Sequence, residues 1–307
     1  MKLNLHTHTR WSDGVLTFEH LVERSKAAGL EYLVVADHDR TKAWSSQNLA
    51  DVRPSINDGI SIAPGGILTS GNLVIPTGME GTCHFRKKTL HILGLFIEQP
   101  KDQFAEYLEH IFRFRWERAI KISSKLGWDF MYEVMPVVGY GVPSRLHFGY
   151  LFFEQEPLKK HPNPNIKCGR DAMDIYIHPK SQYYISFNAN WIYSAKKMIN
   201  TILEYGGVPI WAHPDRTCNQ TGLDIITTYE KLKSYAKGKP FGMEVEKLDQ
   251  LQTMLDTYAL VTVGNDFHCY PYDPVDRNLT VQITDNSIAQ RVIQTLFQAR
   301  DEVRRVL

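Results

Sequence analysis

Apolar residues in this chain fall into short strand-like runs separated by longer stretches with helical spacing. From Leu3 to His8 the chain alternates apolar and polar residues, which predicts a strand with His6 and His8, two positions apart, on one face. Thr17 is placed to cap a helix whose Leu21, Val22 and Ala28 share a side, with Gly29 to end it. Tyr32-Leu33-Val34-Val35-Ala36 is an unbroken apolar run, the mark of a strand buried in a parallel sheet. Strand, helix and strand thus form a βαβ unit whose second strand runs out into Asp37-His38-Asp39.

The same rhythm returns further on. Leu73 to Pro76 predicts a strand delivering Gly78-Met79-Glu80, and Leu90 to Phe96 another, with His91 near its start. Residues 42 to 70 carry polar and Gly/Pro-rich patches and predict an irregular helix and a long loop. From Asp102 to Gly127 the pattern is helical, with Tyr107, Ile111, Phe114, Ile120 and Leu126 as the expected buried face. Arg113, Arg115, Arg118, Lys121 and Lys125 then read as its solvated side. Residues 135 to 187 are rich in Pro, Gly and Asn around a short aromatic helix, Leu146 to Phe153. After it come a helix over Trp191–Tyr205, a strand over Val208–Ala212 leading to His213-Pro214, and a helix over Leu223–Ala236. A strand at Gly242–Val245, a helix at Leu248–Tyr258, a strand at Leu260–Val263 leading to Asn265-Asp266-Phe267-His268, and a helix over Ser287–Val306 complete the chain.

Composition changes this picture little. At 307 residues, with 43% hydrophobic and 22% charged residues, the chain can build the core of one α/β barrel with an insertion. A formal net charge of +1 provides no electrostatic footprint for stable binding of long duplexes. Cys83, Cys168, Cys218 and Cys269 form no CxxC pair, so reduced thiols in a cytoplasmic protein are expected. No apolar leader follows Met1-Lys2, and no apolar run approaches the roughly 20 residues of a membrane span, so no membrane association is expected.

Candidate chemistry lies at the strand ends. His6 and His8, His38, Glu80, His91, His213, and Asp266 with His268 each stand at an end or beginning of an apolar strand. In α/β barrels the reactive residues gather where strands end, so these groups are expected at one mouth. Imidazoles mixed with carboxylates suit Zn, Mn or Fe. Asp37 and Asp39 are expected to accept hydrogen bonds from ligating imidazoles, and Glu244 can do likewise.

HTHxxxSDG followed by ADHD, GMEG, HILGLF, WAHPDR and GNDFH resembles the PHP (polymerase and histidinol phosphatase) domain family. The resemblance implies a distorted (β/α)7 TIM-like barrel with two or three divalent metal ions (Mn, Fe or Zn), hydrolysing phosphate esters with a metal-activated water. It nominates His6, His8, Asp13, His38, Glu80, His91, His213, Asp266 and His268 as metal ligands, with Glu80 bridging. Asp13, His213 and His268 are the candidate catalytic groups, the histidines as proton donors to the leaving oxygen. Arg115-x-x-Arg118, Pro143-Ser144-Arg145-Leu146-His147, Asp171-Ala172-Met173 and Gly206-Gly207-Val208 resemble the branch of nucleotide phosphatases and 5′-to-3′ oligonucleotide exonucleases. That branch carries a helical insertion and implies substrate-phosphate contacts from Arg145, His147 and Arg216, with a small phosphorylated substrate or short oligonucleotide as partner. The division implied is barrel over 1–99, helical insertion or cap over 100–187, and barrel again over 188–307.

The chain departs from the family pattern at Asn265 and Cys269, where Ser and Gly are usual, and at Ala36 and Arg40 beside the Asp-His-Asp run. Residues 54 to 77 are longer than the pattern. Two alternatives stand beside the phosphoesterase reading: a metal-dependent hydrolase of a non-phosphate substrate, and a non-catalytic metal-binding module. His20, His84, His110, His161 and His178 are expected to be surface or packing residues.

Overall fold

The computed structural model describes residues 1–52, 56, 59–63, 65–154, 163–187, 191–270 and 278–307. Parts of the 54–77 segment, His161 and residues 155–162 of the expected insertion lie outside these. The strands form two sheets. The first has six strands in the order β11 (Val281–Gln282), β1 (Lys2–Thr7), β2 (Tyr32–Val35), β5 (Leu73–Pro76), β4 (Ile67–Ser70) and β3 (Ser61–Ala63). The second has five: β10 (Val261–Val263), β9 (Gly242–Val245), β8 (Val208–Trp211), β7 (Lys88–Leu95) and β6 (Gly78–Phe85).

Parallel pairing holds for β1–β2–β5 and for β8–β9–β10. The expected barrel is therefore met as a mixed α/β fold. Its ladders end as two sheets rather than one closed cylinder, and β6 and β7 form an antiparallel hairpin. The sheets meet at single bridges, Thr7 with Phe267, Val35 with Thr77 and His38 with Glu80. Residues 42 to 70 also hold more structure than expected, because a short helix (Ser46–Val52) is followed by the hairpin β3–β4. Those strands are three and four residues long and flank Gly65 and Gly66, both at positive φ, so turn residues dominate their sequence.

Thr17 accepts the His20 amide at the start of the helix Phe18–Ala27, as its capping position requires. The helix Ala195–Glu204 buries Met198, Ile199 and Ile202 against β6, β7 and β8. The long helix Asp102–Leu126 behaves differently from expectation. Ile120 is 48% exposed, while Arg115 and Arg118 are 4% and 3% exposed. Ile111, Arg115, Arg118 and Ile122 follow a 4-3-4 spacing, which is one helix face, so the two arginines share the buried stripe. The first half of this helix joins the main core through Phe104, Tyr107, Ile111 and Phe114. Its second half joins a smaller core with Val134, Phe148, Phe152, Ala172 and Ile177.

Candidate metal centre

β1 carries His6 and the chain carries His8 just beyond it. Alternation places both imidazoles on one side, opposite Leu3 and Leu5, with ring centroids 5.0 Å apart. The following turn brings in Asp13, β2 leads to His38, and the β6–β7 hairpin supplies Glu80 and His91. His213 and Asp266 follow β8 and β10 and adopt left-handed backbone, φ 33° and 55°. Asp39, beside His38, does the same at φ 48°. Such conformations cost non-glycine residues about 1 kcal/mol or more each, and their concentration at three strand ends marks a functional site.

All nine candidate ligands meet in one cluster. Glu80 Oε1 lies 2.7 Å from His91 Nδ1 and 2.8 Å from His213 Nε2. Its Oε2 lies 2.8 Å from His38 Nδ1 and 3.4 Å from both His6 and His8 Nε2. Asp266 Oδ1 is 3.0 Å from His8 Nε2 and 3.5 Å from His6 Nε2. Asp13 Oδ1 is 3.2 Å from His268 Nε2, and its Oδ2 is 3.6 Å from His38 Nε2. These atoms form three overlapping groups: His8, Asp13, His38 and His268; His6, His8, Glu80 and Asp266; and His38, Glu80 and His91.

The donor set fits divalent cations. Glu244 lies 3.0 and 3.2 Å from His6 Nδ1 and can only accept, so Nδ1 carries the proton and the Nε2 lone pair faces the cluster. His268 Nδ1 donates to the Asp266 carbonyl (2.6 Å) with the same result. Ser12 Oγ gives its proton to Asp37 (2.6 Å) and lies 3.3 Å from His8 Nδ1, which orients a third ring likewise. The His6 and His8 Nε2 atoms sit 3.1 Å apart. Asp13 Oδ1 and Glu80 Oε2 are buried without a hydrogen bond. Cations held by these groups would give Asp13 Oδ1 and Glu80 Oε2 the partners they lack.

The electrostatics agree. Burial opposes the charged form of Asp13, Glu80 and Asp266, but the surrounding imidazoles, with Arg216 beside Asp266, hold all three well below the usual carboxylate range. His8 is pushed down to about 3 by burial and by His268. His6 moves the other way, because Glu244 and Glu80 outweigh its burial. The centre calls for positive charge.

Asp37 and Asp39 do not back the imidazoles as expected. Asp37 accepts from the Thr9 amide and hydroxyl and from Ser12, and burial raises it to about 6. Asp39 accepts from the Thr82 amide at 2.7 Å and from Arg115. Glu244 takes the outer role, holding His6 and accepting the His213 amide at 2.8 Å.

Outside the cluster opens a cavity of 580 Å³, walled by Arg115, Arg118, Arg145, Arg170 and Arg216 together with His38, His91, His213 and His268. Of the three expected phosphate contacts, Arg145 lines this cavity, with its guanidinium 3.4 Å from the Ile177 carbonyl. His147 is buried, pushed down to about 4 by that burial, and accepts the Ser144 amide on Nδ1. Arg216 is held by Asp266 and Glu246. The 4-3-4 spacing that buries Arg115 and Arg118 was readable along the helix. Glu244, expected from the end of its strand to be able to accept from a ligating imidazole, does so with His6, 238 residues away.

No protein-family model matches the chain. It is 25% identical over 299 residues to the 5′-3′ exoribonuclease of Haemophilus influenzae, covering 94% of this chain and 97% of that one. It is 25% identical over 225 residues to the 3′,5′-nucleoside bisphosphate phosphatase of Chromobacterium violaceum, covering 70% and 67%. Its fold matches that of a Bifidobacterium adolescentis protein assigned as a metal-dependent phosphoesterase, with TM-score 0.69, 22% identity, and coverage of 95% and 96%. Over most of its length the chain is thus similar to curated hydrolases of phosphate esters, and its ordered motifs resemble those of the PHP family. Among the described residues no helix is long and apolar enough to cross a membrane.

Proposed function

We propose that this chain hydrolyses a terminal phosphate ester of a nucleotide or short oligonucleotide at a centre of two or three Mn, Fe or Zn ions. The observation that carries the reading is the convergence of backed imidazole Nε2 atoms with Asp13, Glu80 and Asp266 on the wall of an arginine-lined cavity. The names of the two curated relatives support this substrate class.

In this reading His6, His8, Asp13, His38, Glu80, His91, His213, Asp266 and His268 would hold the ions, with Glu80 as the central carboxylate. Bound ions acidify water and offset charge on the phosphoryl oxygens. The chain's own residues do the rest. Arg145 faces the cavity, where its planar fork pairs with non-bridging oxygens. His147, neutral at pH 7 with its proton on Nε2, donates a hydrogen bond rather than a charge. Arg216 tethers Asp266 and reaches substrate from that tether. His213 or His268, both on the cavity wall, protonates the leaving oxygen where its Nε2 is not committed to an ion, and Asp13 lies 3.2 Å from the His268 Nε2. Residues 100–187 serve as a cap, joined to the body of 1–99 and 188–307 through Phe104, Tyr107, Ile111 and Phe114 and built beyond them on the second core.

The test is metal content of the purified protein together with hydrolysis of an aryl phosphate, a nucleoside 3′,5′-bisphosphate and a 5′-phosphorylated dinucleotide in Mn²⁺. Two or three ions per chain, turnover that a chelator abolishes, and collapse of both in His6→Ala are expected. A metal-loaded protein inert on all three esters refutes the reading.

A further inference from the structure

Arg115 is buried at the metal centre's edge but touches none of the nine candidate ligands. Its Nε and Nη2 donate to the same oxygen of Asp39, at 2.9 and 2.6 Å, and Nη2 also reaches Thr82 Oγ1 at 2.5 Å. The other Asp39 oxygen accepts the Thr82 amide at 2.7 Å, and the Asp39 amide donates to the Glu80 carbonyl at 2.9 Å. Asp39 thereby grips β6 at two points while sitting directly after His38. The single bridge between His38 and Glu80 lies inside this grip, with His38 Nδ1 2.8 Å from Glu80 Oε2. These two groups come from different sheets, and no continuous ladder fixes one against the other. Asp39 also holds a left-handed backbone, φ 48°, a conformation the surrounding contacts must maintain.

We propose that Arg115 is a positioning residue for the metal centre: through Asp39 it fixes the His38 end of β2 against Glu80 across the seam between the sheets. The inference rests on the metal-centre reading above. A cation at position 115 is not enough, because the fork shape lets one side chain bind Asp39 twice and Thr82 once, which an ammonium on a flexible stem does not reproduce. Arg115 arrives from the 102–126 helix, so this helix sets ligand geometry as well as capping the cavity. Its guanidinium also lies 5.2 Å from the Phe187 ring centroid, which limits its own movement.

The experiment compares wild type, Arg115→Lys and Arg115→Gln/Asp39→Asn, the last keeping the pair neutral so that no charge is buried alone. Metal per chain is measured after dialysis against a graded chelator, beside thermal unfolding and kinetics on an aryl phosphate. Both variants should unfold near the wild-type temperature yet lose metal at a chelator concentration about tenfold or more lower, the size of effect known for residues behind metal ligands. kcat should fall with that loss, and excess Mn²⁺ should restore it. Arg115→Lys holding metal as tightly as wild type overturns the proposal, as does metal loss that merely tracks unfolding. Metal retention is read without substrate: a wild type that binds ions and hydrolyses nothing refutes the phosphoesterase reading alone, whereas one that retains no ion overturns both.

Discussion

Replacing Glu244 by Gln isolates the outer support of the centre. Glu244 is 1% exposed and its two oxygens serve the His6 Nδ1–H (3.0 and 3.2 Å) and the His213 amide (2.8 Å). Glutamine has the same shape but offers one carbonyl and one NH₂ group. Either the His6 ring proton or the His213 amide must then face a donor, and a buried unmet donor costs about 1–3 kcal/mol. Losing the negative charge also removes the largest influence holding the His6 pKa up against its burial. A weakened His6 orientation should lower metal affinity about 10–100-fold, which corresponds to about 1.4–2.8 kcal/mol. The thermal midpoint of metal-free protein should fall by roughly 2–6 °C for the same lost contact. Chelator competition followed by elemental analysis reads the affinity, and calorimetry reads the midpoint. If Glu244→Gln retains metal within about twofold of wild type, Glu244 is not the orienting partner and the role assigned to it is wrong.

Two further outcomes are expected. In Gly264→Ala the new Cβ would lie 2.5 Å from His6 Cβ and 2.6 Å from Glu244 Oε1, so urea unfolding should show a loss of about 1–3 kcal/mol, and metal affinity should fall with it. His147 has a folded pKa near 4 against about 6.5 unfolded, so only the unfolded chain takes up this proton between those values. Stability should therefore decline as pH falls from about 6.5 to about 4, by up to roughly 3 kcal/mol from this residue. His147→Asn, which keeps an acceptor for the Ser144 amide, should flatten that acid limb in urea titrations across pH, and an unchanged limb counts against the assignment.

Much of the centre was legible because its ligands obey local rules. His6 and His8 follow strand alternation, and His38, His213, Asp266 and His268 follow apolar runs long enough to be recognised. Glu80 was found by motif but misplaced in structure. It lies within β6, Gly78–Phe85, whose two glycines and small polar residues hide an eight-residue strand. The antiparallel β6–β7 pairing was hidden for the same reason, and with it the split into two sheets. Arg115 and Arg118 were read by charge, although their spacing with Ile111 and Ile122 placed them inward. Burial of a guanidinium depends on partners such as Asp39 and the Ile185 carbonyl, which no nearby residue announces.

The bridge from Thr7 to Phe267, with the His8 amide donating to the Phe267 carbonyl at 2.8 Å, joins two ends of the folding history. One group of candidate ligands, His8 with Asp13, His38 and His268, spans almost the whole interval between them. During synthesis, His6, His8, Asp13 and His38 emerge before Glu80, Asp266 and His268, so the full set of candidate groups meets only once the chain through residue 268 has folded. On the proposed reading, cation choice then falls to the finished fold, whose geometry rather than the order of synthesis would set which ion is held.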